Sequence, residues 1–180
     1  MTTLSTLSDE LQGVVQGVFE ALPPRSAMKE LVVTSPAPKP ACDAVARAIE
    51  DGDLLNTAPD LAAGLWLYVD DLHASHRISQ NLHTPTGSFW HAIMHRREGD
   101  FSNSRYWFRR VGTHPAYSRI ALAGGPGAAG TSEAEYNPIR LVDRVERAHE
   151  AGESQHPELV AMQRHEWFGL FEWCAEHRRG

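Results

Sequence analysis

The chain has 180 residues and a hydrophobic share of 42%, enough for one core of ordinary size and too much for a disordered chain. Its formal net charge of -6 gives no reason to expect a nucleic-acid or membrane partner. No apolar run approaches the ~20 residues of a membrane span. The opening Met1-Thr2-Thr3-Leu4 runs into Asp9 and Glu10 and lacks the basic and apolar regions of a signal peptide. Two cysteines, Cys42 and Cys174, match no metal or redox spacing, which points to reduced thiols and a cytoplasmic setting.

Taken in chain order, the pattern predicts helices and no strand. Ser8 caps a first helix over 8–22, whose apolar face is Leu11, Val14, Val15, Val18, Phe19 and Leu22. Pro23-Pro24 ends it, and Pro36, Pro38 and Pro40 make an extended connector. A short helix over 42–51 stops at Gly52. Pro59 opens a long helix over 59–80, with a stripe of Leu61, Leu65, Val69 and Leu72 that reaches His76 where an aliphatic residue is expected. Helices follow over 88–98 and 103–111. Residues 121–131, rich in Gly and Ala, read as a flexible loop. Two further helices over 138–150 and 157–177 complete an all-α, single-domain array or bundle of about six or seven helices, joined by Pro- and Gly-rich loops.

Six of the ten histidines, His73, His76, His83, His91, His95 and His114, fall in the middle segment. His91, His95 and Glu98 stand at i, i+4 and i+7 and share one helix face. Two imidazoles one turn apart can chelate one metal ion, with Glu98 as a third ligand. His76 reaches the same place if the two helices pack antiparallel. Such a set suits zinc, iron or manganese. The plainer reading is that these rings hydrogen-bond to the backbone or to nearby acids. His76, His95 and Asp71 are the candidates for moving protons, since imidazole titrates near neutral pH.

A second constellation suits an anionic ligand. Thr84, Thr86, Gly87 and Ser88 stand at a helix start, where free N–H groups favour a phosphate or carboxylate. Thr86 and Ser88, with Arg97, Arg105 and Arg109, are the candidate substrate-binding residues. The competing reading makes Thr86 or Ser88 the helix cap and pairs the arginines with Glu98 and Asp100.

The runs Ser75–Gln80, Thr84–Phe101, Tyr106–Gly112 and His114-Pro115 together resemble a family of uncharacterised bacterial and fungal proteins. The resemblance covers about the middle quarter of the chain. It implies where the site lies and no reaction. Three functions remain: a small-molecule enzyme with a His- and Arg-rich, metal-dependent site acting on an anionic metabolite; a non-catalytic binder of a phosphorylated or carboxylated ligand; or a polar network that fixes helix register or a subunit contact.

Overall fold

The computed structural model describes residues 7–35, 38–124 and 136–178. Among them the chain is all-helical, with ten helices and no strand. They are α1 (Asp9–Ala21), α2 (Lys39–Asp51), α3 (Leu54–Thr57), α4 (Pro59–Tyr68), α5 (Leu72–Ser79), α6 (Pro85–Glu98), α7 (Phe101–Val111), α8 (Ala116–Gly124), α9 (Pro138–Glu150) and α10 (Pro157–Glu176).

The count of six or seven helices is therefore too low, for three local reasons. The stretch read as one helix over 59–80 breaks at Asp70, which takes a left-handed φ of 61°. Aspartate tolerates that conformation better than most residues. The break lets Asp71 cap α5, accepting from the Ala74 N–H at 2.9 Å. The small α3 follows a second left-handed aspartate, Asp53 at φ 47°. The third addition, α8, occupies 116–124, including part of the segment read as a flexible loop. Residues 125–131 of that loop lie outside the described residues. Tertiary contact explains α8: Ala116 and Ile120 are buried, and a Cβ on Gly169 of α10 would stand 2.6 Å from Ile120 Cγ1. Only glycine allows that approach.

Three starts also move. α7 begins at Phe101 rather than 103, because Asp100 is its cap. α2 begins at Lys39 rather than 42, because Pro40 fits a first helical turn. α6 begins at Pro85 rather than 88, because Thr84 is its cap, accepting from the Gly87 N–H at 3.0 Å.

α6 lies at the centre. It packs against α4, α5 and α7, while α10 packs against α4, α8 and α9. Every residue of α6 from Thr86 to Arg97 is buried, so polar side chains on this helix must find partners inside the protein. The core beneath it is aromatic. Trp167 stacks on Phe171 with ring centroids 4.6 Å apart and donates its indole N–H to the Gly64 carbonyl at 2.8 Å. Tyr68 packs on Trp167 and Phe19 and donates to the Leu22 carbonyl at 2.6 Å. Each such ring contributes about 1.5–3 kcal/mol by leaving water, and both polar tips are satisfied.

Candidate metal centre

α5 and α6 are joined by a short link and run past each other, so His76 in the middle of α5 meets the one-turn pair His91 and His95 on α6. Ring centroids are 4.8 Å apart for His76 and His91, 5.6 Å for His76 and His95, and 4.6 Å for His91 and His95. One nitrogen from each ring lies within 4.8 Å of the others. Adjacent ligands of a tetrahedral zinc stand about 3.4 Å apart, given Zn–N bonds near 2.0–2.1 Å.

The three imidazoles differ. His91 is 2% exposed, and neither Nδ1 nor Nε2 has a hydrogen-bond partner. One such unpaired buried group costs about 1–3 kcal/mol. Trp107 of α7 covers one face of this ring, centroids 4.1 Å apart and planes 24° from parallel. Burial, reinforced by His95 and His76, pushes the His91 pKa down to about 3. Burial and His95 also lower that of His76. Both rings are therefore neutral near pH 7, the form that binds a metal. His76 is half-buried and opens the cluster toward solvent.

His95 is oriented from behind. Its Nδ1 lies 2.6 Å from Glu98 Oε1. A carboxylate only accepts, so Nδ1 carries a hydrogen, and the neutral ring offers its lone pair at Nε2. Glu98 is thus not a fourth member of the three-histidine group. It belongs to a second grouping with His95 and Asp100, and Asp100 is already occupied as the cap of α7, accepting from the Asn103 N–H at 3.0 Å.

No protein-family profile, curated protein or solved structure matches this chain. The site has to be read from its own chemistry.

The other sequence-derived candidates turn to different partners. Asp71 caps α5. Thr86 is buried, with Oγ1 3.1 Å from His114 Nε2. His114 Nδ1 accepts from the Ala116 N–H at 3.1 Å, so Nε2 carries the ring hydrogen and donates to Thr86. Burial lowers the His114 pKa to about 4. Ser88 is buried, and its N–H bonds the Thr84 carbonyl at 3.0 Å. Thr84 thus fills the expected anion cradle with the protein's own oxygens. Arg97 is fully buried, pairing with Asp70 and donating to the Glu30 carbonyl at 2.7 Å. Arg105 binds Asp143 at 2.9 Å and also Glu146. Arg109 is exposed, with no ion pair among the described residues.

Sequence reasoning did not foresee the buried pair of Arg96 with Glu166, nor Tyr136, which donates to the same Glu166 carboxylate. A signal existed. Glu166 sits beside Trp167 and at helical spacing from Leu170, and a carboxylate at a core position implies a buried cation.

Proposed function

We propose that this chain binds one divalent transition metal through His76, His91 and His95, and uses the remaining coordination position to act on a small anionic molecule. The observation that carries the reading is His91: a buried imidazole with two unpartnered nitrogens, beside two other imidazoles. A metal bond would satisfy one of the two nitrogens that the folded chain leaves unpaired.

The ligand set favours zinc over iron or manganese. An iron facial triad needs a carboxylate on the metal, whereas Glu98 is engaged on the far nitrogen of His95. Three imidazole nitrogens with an open position match the pattern of catalytic zinc, which lowers the pKa of bound water to about 7. Metal-assisted hydrolysis or hydration is the reaction class that follows. Glu98 fixes the His95 tautomer, and Trp107 shields one flank from water. A soluble, single-domain, cytoplasmic protein suits this reading. No helix among the described residues is long and apolar enough to cross a membrane, and neither cysteine forms a disulfide.

For the arginines on the far side of α6, the pairing favours the structural reading. Arg96 and Arg97 are both engaged by buried or half-buried carboxylates, which fixes how α6 sits against α10 and the α4–α5 joint.

The test is cobalt substitution. Metal-free protein should take up one equivalent of Co²⁺ and show the visible bands of a nitrogen-ligated ion. His91→Ala should take up less than a tenth of an equivalent. Wild-type protein that stays colourless, and holds no Zn²⁺ after dialysis, would refute the metal.

A further inference from the structure

The stretch from Arg96 to Arg110 carries five arginines, and the structure sorts them by what they touch. Arg96, Arg97 and Arg105 are neutralised by carboxylates. Arg109 and Arg110 are exposed and form no ion pair among the described residues. These two differ in where they point. Arg110 is one helical turn from Trp107, so the two share a face, whereas Arg109 is two residues on and faces away. The Arg110 guanidinium accordingly rests over the Trp107 ring, with Cζ 5.3 Å from its centroid, and over Tyr106 at 5.9 Å.

Trp107 is also the ring stacked on His91. A single indole therefore touches both the buried imidazole of the metal cluster and an unpaired cation. Stacking holds a guanidinium by its π face and leaves its N–H edges free for a planar oxyanion. Two aromatic rings restrict the side chain, so less freedom is lost when an anion docks.

Resting on the three-histidine metal reading, we infer that Arg110, held over the Trp107 ring that covers His91, is the anion-binding residue of this site. The site takes a small molecule with two ends. An oxygen donor reaches the metal, and a carboxylate or phosphate a few bonds away lies against Arg110. A single-headed ion such as acetate reaches one anchor and gains nothing from the other. This assignment replaces the sequence expectation that Arg97, Arg105 and Arg109 orient the substrate, because two of those three are consumed by ion pairs and the third points away from Trp107.

The experiment titrates the Co²⁺-loaded protein with acetate, succinate and glycerol phosphate, reading the shift of the visible bands. At least one of the two-ended probes should bind about 10-fold or more tightly than acetate, the effect expected of one added charge-assisted contact. The tighter of them tells carboxylate from phosphate. Arg110→Ala should bring that probe back to the acetate level with the Co²⁺ bands unchanged, Arg110→Lys should recover part of the gain, and Arg109→Ala should change nothing. Equal affinity in wild type and Arg110→Ala, or an equal loss in Arg109→Ala, overturns the assignment while leaving the metal reading intact. Absence of Co²⁺ bands in the wild type is the separate result that removes both.

Discussion

Asp70 and Arg97 form an ion pair that locks the joint between α4 and α5 to the end of α6. Asp70 holds a left-handed backbone to do so. Arg97 is fully buried and also donates to the Glu30 carbonyl at 2.7 Å. The pair lies six residues before His76 and two after His95, so it sets the register in which α5 presents one histidine to two on α6.

Removing one side of this pair should therefore damage both stability and the site. Arg97→Met leaves Asp70 facing the interior without its cation. A loss of about 3–5 kcal/mol in unfolding free energy is expected, measured by urea denaturation, and Co²⁺ affinity should fall with it. A loss under about 1 kcal/mol with unchanged Co²⁺ binding would show that the pair does not hold the register.

His91 should behave as a residue kept at the expense of stability. His91→Leu conserves volume and removes two unpartnered nitrogens from the core, so the metal-free variant should be more stable than metal-free wild type by about 1 kcal/mol. It should also bind no metal. Thermal unfolding with and without Zn²⁺ checks both: Zn²⁺ raises the melting temperature of the wild type only. A clear destabilisation of the metal-free variant would mean that the ring has a partner, or packs on Trp107 better than its polarity costs.

Glu98 is exposed, so Glu98→Gln should leave metal-free stability within about 0.5 kcal/mol. Zn²⁺ affinity should nevertheless fall by about 10-fold or more, because the carboxylate sets the His95 tautomer. Calorimetric titration gives the ratio. Equal affinities would remove Glu98 from the site.

His114 makes a separate pH prediction. Its folded value is about 4, against an ordinary 6.5. Between those values the unfolded chain takes a proton that the folded ring refuses. Its contribution to stability is thus complete above about pH 6.5, falls as pH drops toward 4, and is flat below both values. The complete loss amounts to about 3 kcal/mol. Replacing His114 by Gln should make the decline between pH 7.5 and 4.5 shallower by most of that amount in denaturant titrations. An unchanged decline would place the acid sensitivity elsewhere.

The helical architecture was legible because apolar spacing and caps are local. Asn137 caps α9 by accepting from the Arg140 N–H at 3.0 Å, and α9 and α10 lie within a residue of their expected spans. The break at Asp70 was not legible, because the stripe through Val69 and Leu72 continues the period while a distant arginine decides the conformation. α8 was hidden for the same kind of reason: its stability comes from the close approach of Ile120 to Gly169, not from its composition. The three histidines could be named from their spacing and a short interhelical link. The fate of Arg96 and Arg105 could not, since their partners Glu166, Asp143 and Glu146 come from helices far along the chain.

The most direct test is zinc K-edge X-ray absorption on the wild-type protein carrying one equivalent of Zn²⁺. The account predicts nitrogen and oxygen scatterers only, near 2.0–2.1 Å, with the outer-shell signature of about three imidazoles that drops to about two in His76→Ala. A spectrum without imidazole scattering, or one that His76→Ala and His91→Leu leave unchanged, would contradict it.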